Sequence, residues 1–288
     1  TEIEHIRPRE TVFKGPFLTR LYPIPSSTTC IVKPFTKSTE LTTHMVRYLI
    51  TSGTSKTGAA TIKRLRELGV AQDDIVAGTR DPIANEARLK EIGAGHVVQL
   101  DHLSEESIEK AVAGVDRVGL MQGSETLLPI YSLFRKVLPK TSVKAIVAIG
   151  GTVGGTSPTA VDFEKAEKAI LETPGLETTL VSPNWFLENW QLPDYAEQLQ
   201  QGFFHGAAQN GKIAYIAVQD IGNTIAQVLF DGPARWNGQR LYITGPEAFT
   251  EQEVLTLIGK VVYEHPIEYR SLEFSAYRDF LLKAGTPE

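Results

Sequence analysis

The chain has 288 residues, of which 42% are hydrophobic, and a formal net charge of −5 at pH 7. This size allows one large domain or two small ones with a sizeable core. The acidic balance argues against a nucleic-acid-binding surface, which needs a basic patch, and no apolar run approaches the roughly 18 to 20 residues of a membrane span. The single cysteine, Cys30, excludes an internal disulfide and fits a reducing compartment, so we expect a cytoplasmic protein.

The first 44 residues differ in character from the rest of the chain. They are rich in Thr, Ser and Pro and show neither a helical nor an alternating hydrophobic period. They contain no apolar signal-peptide core, and Glu2, Glu4 and Glu10 are unlike an acid-poor mitochondrial presequence. We expect an N-terminal extension at residues 1–44 that is disordered, or a true translation start at Met45, and assign no chemistry to it.

From Met45 onward, predicted strands and helices alternate. Short runs rich in Val and Ile predict buried parallel strands at residues 45–50, 74–79, 96–100, 115–121, 143–149 and 177–181. Helices are predicted between them at residues 58–68, 83–92, 104–113, 126–138 and 161–172. The alternation indicates an α/β fold with a doubly wound, six-strand parallel sheet, the Rossmann fold. Residues 45–190 form its nucleotide-binding core, and residues 191–288 form a small C-terminal substrate-binding region interleaved with that core.

The turn after the first strand carries a weakened dinucleotide-binding fingerprint. Three glycines spaced G-x-x-G-x-x-G normally allow a tight turn and a close approach to the pyrophosphate. Ser52, Ser55 and Gly58 stand at these positions, and Gly53 keeps the turn able to adopt a positive φ. The N–H groups that begin the next helix can still receive an anion, although a turn without a ligand is the alternative. The predicted phosphate-binding residues are Gly53, Thr54, Ser55, Lys56, Thr57 and Gly58.

The end of the second strand indicates which cofactor is bound. An acid at this place favours NAD, but the chain has Thr79 followed by Arg80. Because an arginine suits the extra phosphate of NADP, we predict NADP(H); a solvated loop arginine is the alternative.

Ligands of a doubly wound sheet lie beyond the carboxyl ends of its strands. Asp101 follows the third predicted strand, where it either meets the adenine or neighbours a helix N-cap. The other predicted cofactor contacts at strand ends are Gln122, Gly150 and Pro183.

The chain resembles the NmrA-like atypical short-chain dehydrogenases over residues 45–288. The resemblance is carried by the turn at residues 52–58, by Thr79-Arg80, by residues 181–189 (VSPNWFLEN) and by residues 242–247 (YITGPE). Within that family the chain is similar to fungal clavine dehydrogenases of ergot-alkaloid pathways and to NAD(P)H-dependent quinone reductases. This implies an NADP(H)-bound Rossmann core with a small C-terminal substrate region.

The chain departs from the family in ways that bear on the chemistry. The arginine expected before Pro183 is Ser182, and the Tyr-x-x-x-Lys pair of standard short-chain dehydrogenases is absent. Without that acid the substrate must accept hydride unaided or find another proton donor, and an iminium ion is already activated. The catalytic candidates are Lys165, which is otherwise a solvated helix residue, and Tyr131.

The predicted substrate contacts follow the sixth strand or lie in the C-terminal region. Aromatic rings there would wall a nicotinamide or a flat substrate, although core packing explains them equally well. These residues are Trp185, Phe186, Asn189, Phe203 and Phe204. His96 and His102 have no partner at metal-ligand spacing, so no metal site is predicted.

Three classes of function remain open at this point. The first is an NADPH-dependent oxidoreductase that transfers hydride to an iminium, enone or quinone-like group of a secondary-metabolite-type small molecule. The second is a non-redox isomerase or cyclase on the same fold, and the third is an NADP-sensing regulator. We predict no nucleic-acid partner and no membrane partner, and the sequence indicates no oligomeric state.

Overall fold

The computed structural model describes residues 20–22, 45–122, 127–151 and 158–283. The predicted N-terminal extension therefore lies outside the described residues, except for one short strand, β1, Arg20–Tyr22. That strand pairs antiparallel with residues 242–244, so these three residues are extended and join the main sheet.

Within the described residues, the central sheet has seven parallel strands and one antiparallel edge strand. The parallel strands are β2 (Tyr48–Ile50), β3 (Ile75–Thr79), β4 (His96–Gln99), β5 (Arg117–Leu120), β6 (Ala145–Ile149), β7 (Glu177–Pro183) and β10 (Gln239–Thr244). The strands lie in the order β1-β10-β7-β6-β5-β2-β3-β4, and each is hydrogen-bonded to its neighbours. The order of connection reverses between β2 and β5, which is the place where doubly wound sheets bind ligands.

Helices cover both faces of the sheet and bury two separate apolar cores. One face carries α1 (Lys56–Glu67), α2 (Pro82–Ile92) and α7 (Val218–Asp231). The opposite face carries α3 (Glu105–Ala111), α4 (Leu127–Val137) and α5 (Pro158–Leu171). Strands β2, β3 and β6 are buried along their whole length, because helices cover them on both sides.

The C-terminal region adds a third, smaller core beside the sheet. Its centre includes Trp190, Phe204, Tyr215 and Leu255. Two short sheets, β8 with β12 and β9 with β11, frame this core. The elements are α6 (Pro193–Gln200), β8 (Phe203–Gly206), β9 (Lys212–Ile213), β11 (Phe249–Thr250), α8 (Glu251–Ile258), β12 (Glu268–Ser271) and α9 (Phe274–Lys283).

The α/β doubly wound fold is confirmed, but the predicted number of strands is wrong. The seventh parallel strand, β10, lies in the region assigned to substrate binding, and its neighbour in the sheet is β7. Its exposure alternates along the strand instead of forming a buried apolar run, since it lies near the sheet edge and pairs with β1 on its other side. No helix in the described part of the chain is long and apolar enough to cross a membrane.

Candidate functional site

Serine hydroxyls hold the turn between β2 and α1. Ser52 Oγ donates to the Met121 carbonyl oxygen at 2.8 Å, which ties the turn to the end of β5. Ser55 Oγ donates to the Ser52 carbonyl at 2.8 Å and accepts from the Gly58 N–H at 2.9 Å, so Ser55 is the N-cap of α1. The two side chains that replace fingerprint glycines therefore stabilise the turn from within.

The two glycines in this turn are needed for close packing. A Cβ at Gly58 would overlap the Ser52 carbonyl oxygen, and one at Gly53 would lie 2.9 Å from the Ala77 Cβ. Neither glycine has a positive φ. The expectation that Gly53 serves to permit that conformation is therefore wrong; it lets the turn approach β3 closely instead.

A cleft made of two adjoining pockets runs along the carboxyl ends of the parallel strands. The β3-side pocket has a volume of about 420 Å³ and is lined by residues that include Thr54, Thr79, Arg80, Asp101 and His102. The β6-side pocket has a volume of about 470 Å³ and is lined by residues that include Thr57, Gly150, Pro183, Trp185 and Phe186. Both pockets are also lined by Ser52, Ser55 and Gln122, so the turn stands between them.

The cleft brings together most of the residues predicted to contact the cofactor. Thr54, Ser55, Thr57, Arg80, Asp101, Gln122, Gly150 and Pro183 line one or both pockets. Gly53 and Gly58 are buried under the turn. Lys56 is exposed, and its Nζ donates to Gln191 Oε1 at 3.0 Å, outside both pockets.

Arg80 provides an exposed positive charge at the β3-side pocket. Its guanidinium forms no hydrogen bond or ion pair with the part of the chain that the structure describes, so it can turn toward an anion. A second arginine, Arg88, donates to the Thr54 carbonyl at 3.5 Å from the same side. Sequence reasoning missed Arg88, which lies in the middle of α2.

Asp101 and His102 belong to the wall of the β3-side pocket. Asp101 Oδ1 accepts from the Leu103 N–H at 2.9 Å, while Ser104 is the N-cap of α3. Asp101 thus shapes the local turn and lines the pocket as well. Burial lowers the pKa of His102, an effect that the positive charge of Arg80 reinforces and that Asp101 opposes. A neutral imidazole therefore faces this pocket near pH 7.

The β6-side pocket is mainly apolar and carries the aromatic residues that follow β7. Trp185 is 45% exposed, so it is not a core residue. Phe186 is partly buried against the core between the sheet and helices α1, α2 and α7, which we call the main core. Asn189 lines the same pocket. Asn184 Oδ1 accepts from the Trp185 N–H at 2.7 Å, which fixes the chain where it leaves the strand. This pocket suits a flat ring.

The structure does not place the two predicted catalytic residues at the cleft. Tyr131 is fully buried, its hydroxyl donates to the Ile149 carbonyl, and burial raises its pKa further above the ordinary range. The expectation that it lies at the catalytic rim is wrong. Lys165 points to solvent, with 62% of its side chain exposed, and lies 3.6 Å from Asp162. It lines neither pocket of the cleft.

A buried carboxylate that sequence reasoning passed over supports the β6-side pocket. Glu167 Oε1 accepts from the Gly151 N–H at 2.8 Å, and Oε2 pairs with Arg240 from β10. A Cβ at Gly150 would lie 2.6 Å from Ser182 Oγ and 2.7 Å from Glu167 Oε1. The backbone at Gly150, which lines the pocket, therefore packs directly against the Ser182 and Glu167 side chains.

The two predicted substrate contacts on β8 do not line the cleft. Phe204 is buried in the C-terminal core, with its ring centroid 5.0 Å from that of Trp190. Phe203 lies on the other face of the strand. The Arg270 guanidinium carbon stacks over its ring, 4.1 Å from the ring centroid. Core packing, the alternative considered for these residues, accounts for Phe204. The absence of a metal site stays a prediction; no group of three or more potential ligands occurs in the described ranges.

Solved structures of NAD(P)-binding proteins share this architecture. The NADPH complex of the quinone oxidoreductase QOR2 from Escherichia coli is 27% identical, with a TM-score of 0.72 over 83% of each chain. Triphenylmethane reductase from Citrobacter sp., complexed with NADP(H), is 19% identical, with a TM-score of 0.69 over 84% of this chain and 85% of that one. A nucleoside-diphosphate-sugar epimerase from Staphylococcus aureus is 19% identical, with a TM-score of 0.68 over 82% and 83% of the two chains.

These similarities confirm the Rossmann-type fold. No protein-family model and no curated protein matches the chain. The resemblance to NmrA-like proteins agrees with the structural neighbours at the level of the fold, and the narrower link to clavine dehydrogenases stays a prediction.

Proposed function

We propose that the chain is an NADPH-dependent oxidoreductase of a small molecule of the secondary-metabolite type. The observation that carries this proposal is the two-pocket cleft, with a free arginine at one end and an apolar, aromatic wall at the other. The E. coli and Citrobacter proteins named above carry NADPH or NADP(H) on the same fold, which supports the choice of cofactor.

The residues of the cleft fit a dinucleotide phosphate. The first N–H groups of α1, at Lys56 and Thr57, have no acceptor inside the helix and would point toward the pyrophosphate beside the turn. Arg80 would hold the additional ribose phosphate through its fork of N–H donors. The β6-side pocket would hold the nicotinamide, which supplies a hydride when the reduced cofactor is bound.

The lining of the β6-side pocket favours a substrate that needs no protein acid. Among its described lining residues there is no Tyr, Lys, His, Asp or Glu, and the polar side chains are hydroxyls and amides such as Gln122 and Asn189. The carbon of an iminium ion accepts hydride, and the product is a neutral amine, so no proton transfer is needed. An enone or a quinone needs a proton as well, which water would supply. We therefore place an iminium, enone or quinone-like group beside Trp185.

Cofactor binding is the first test. Titration with NADPH, followed by nicotinamide fluorescence, should show saturable binding, and Arg80→Ala should raise the dissociation constant roughly tenfold or more, because a hydrogen bond to a charged group contributes about 1.5–3 kcal/mol. NADH binding should change little. Lys90→Ala, which removes an exposed positive charge near the end of α2 and outside both pockets, is the matched control. Absence of NADPH binding would refute the proposal that the protein is an NADPH-dependent oxidoreductase.

Turnover separates a reductase from the other classes of function. A reductase oxidises NADPH in proportion to product when an iminium or quinone is supplied. An isomerase or cyclase would convert substrate without consuming NADPH, and a regulator would bind NADPH with no turnover of any of these compounds.

A further inference from the structure

A separate cavity in the C-terminal region adjoins the cleft at Trp185. Its volume is about 290 Å³, and Trp185 lines both this cavity and the β6-side pocket. We call it the aromatic cavity, because most of its wall is made of rings. Those rings belong to Trp185, Trp190, Tyr195, Tyr215, Phe274 and Tyr277.

The rings of the aromatic cavity are packed against one another. The Trp190 centroid lies 5.8 Å from that of Tyr195 and 6.0 Å from that of Tyr215. Trp190 and Tyr215 are buried, so the C-terminal core fixes their positions. Ring faces carry partial negative charge and attract a cation that lies over them.

One carboxylate faces this set of rings. Glu251, the first residue of α8, is the only charged residue that lines the cavity among the described residues. Glu251 is partly exposed, but its Oε2 is buried beside Gly206 and Tyr269 and lacks a well-formed hydrogen bond, and no lysine or arginine in the described part of the chain forms an ion pair with it. A buried carboxylate oxygen without a counter-charge has a desolvation cost, which a cation entering the cavity would offset.

Glu251 contributes to the raised pKa values of the surrounding tyrosines. Burial, followed by the negative charge of Glu251, raises the pKa of Tyr215. The pKa values of Tyr195 and Tyr277 are raised mainly by burial, with Glu251 contributing. Burial and the neighbouring Glu251 side chain also raise the pKa of Tyr269. The cavity therefore keeps neutral phenols around a single negative charge.

We propose that the aromatic cavity binds an organic ammonium group, with Glu251 as its counter-charge and the rings of Trp185, Trp190 and Tyr215 around it. Because the cavity and the β6-side pocket share Trp185 as a lining residue, a single small molecule could place its ammonium group in the cavity and its reducible group in the cleft. This second statement rests on the proposed reductase function, whereas ammonium binding does not.

Calorimetric titration of the full chain with choline tests the site directly. The uncharged isostere 3,3-dimethylbutan-1-ol has the same shape and should bind more weakly. Glu251→Gln should weaken choline binding roughly tenfold or more while leaving binding of the alcohol unchanged. Glu247→Gln removes an exposed carboxylate a few residues earlier and should leave both unchanged. Equal binding of the two probes, or choline binding that is insensitive to Glu251→Gln, would overturn the inference.

A second variant guards against a folding defect in Glu251→Gln. Trp185 is 45% exposed and belongs to none of the apolar cores, so Trp185→Leu should fold and should also weaken choline binding. Undiminished choline affinity in Trp185→Leu would contradict the assignment of this ring. The titrations are made without NADPH, and NADPH binding is measured separately. Choline binding without NADPH binding would leave the ammonium site intact and refute the reductase, and the converse would refute the ammonium site alone.

Discussion

Lys165 and Glu167 lie two positions apart on α5, yet one points to solvent and the other into the protein. The buried face of this helix carries Ala166 and Ile170, and Glu167 belongs to the same stripe. Residues three and four positions apart share a helix face, so this spacing predicts an inward Glu167 and an outward Lys165. Lys165 was assigned by its resemblance to NmrA-like proteins, and that resemblance does not give the direction of its side chain.

Glu167→Gln should destabilise the protein and loosen the β6-side pocket. Glu167 is 4% exposed and pairs with Arg240, so its replacement leaves a partly buried guanidinium without its partner. Breaking a buried pair costs roughly 3–5 kcal/mol, and we expect the lower end because Arg240 keeps some contact with water. Urea unfolding measures the change in free energy of unfolding.

Lys165→Ala is the matched control on the same helix. An exposed lysine should change the free energy of unfolding by no more than about 0.5 kcal/mol, and NADPH-dependent turnover should be retained. Loss of turnover without loss of stability in Lys165→Ala would restore the catalytic role predicted from the sequence and contradict the outward placement.

The stability of the protein should fall in mild acid because of His102. Burial holds its folded-state pKa below the ordinary value of 6.5, so the unfolded chain binds more protons as the pH drops through that value. The free energy of unfolding therefore decreases from about pH 7 down to the folded-state pKa. His102→Gln removes this group, and urea unfolding at a series of pH values should show a shallower slope below about pH 6.5. An unchanged slope would mean that His102 protonates equally in both states.

At the scale of the element, the β2–α1 turn shows why a degraded fingerprint still gives the expected turn. The glycines of the usual motif leave space, whereas Ser52 and Ser55 fill that space with hydroxyls that bond to Met121 and to the first turn of α1. Gly58 alone admits no side chain without a clash with backbone. The motif can therefore lose two glycines and keep the strand–turn–helix geometry.

Ser55→Asp should keep the N-cap of α1 but oppose phosphate binding. Asp is as good an N-cap as Ser, so Ser55→Asp keeps the bond from the Gly58 N–H, whereas Ser55→Ala loses this cap at a cost of about 1 kcal/mol; both variants lose the bond that Ser55 Oγ donates to the Ser52 carbonyl. The new carboxylate would face both pockets at the position proposed for the pyrophosphate. NADPH binding should therefore weaken strongly in Ser55→Asp and only slightly in Ser55→Ala, as measured by nicotinamide fluorescence. Equal NADPH affinity in the two variants would place the phosphates elsewhere.

The sequence was most informative where backbone position decides the outcome. Arg80, Asp101, Gln122 and Gly150 were chosen because they follow parallel strands, and all four line the cleft, since the carboxyl ends of parallel strands meet at one edge. Their contacts with a cofactor stay predictions. Phe204 was chosen by residue type instead, and its burial depends on which face of β8 packs on the C-terminal core, a tertiary contact that no local pattern encodes.

At the scale of the whole molecule, the C-terminal part of the chain completes the nucleotide-binding fold. Helix α7 packs against α1, and β10 extends the parallel sheet beyond β7. The main core contains Ile221, Ile225 and Ile243 from this part of the chain. The boundary at residue 190 therefore divides the chain but not this apolar core, and the division into two regions stays a prediction.

A fragment that ends at residue 190 should not fold cooperatively. It would expose the face of the sheet that α7 covers, and the edge of β7 would lose its partner, which leaves a long unpaired edge prone to aggregation. Thermal unfolding followed by circular dichroism should give a sharp transition for residues 45–288 and none for residues 45–190. A cooperative transition in the shorter fragment would show that the core is independent of α7 and β10, and the cleft could then be studied without the C-terminal region.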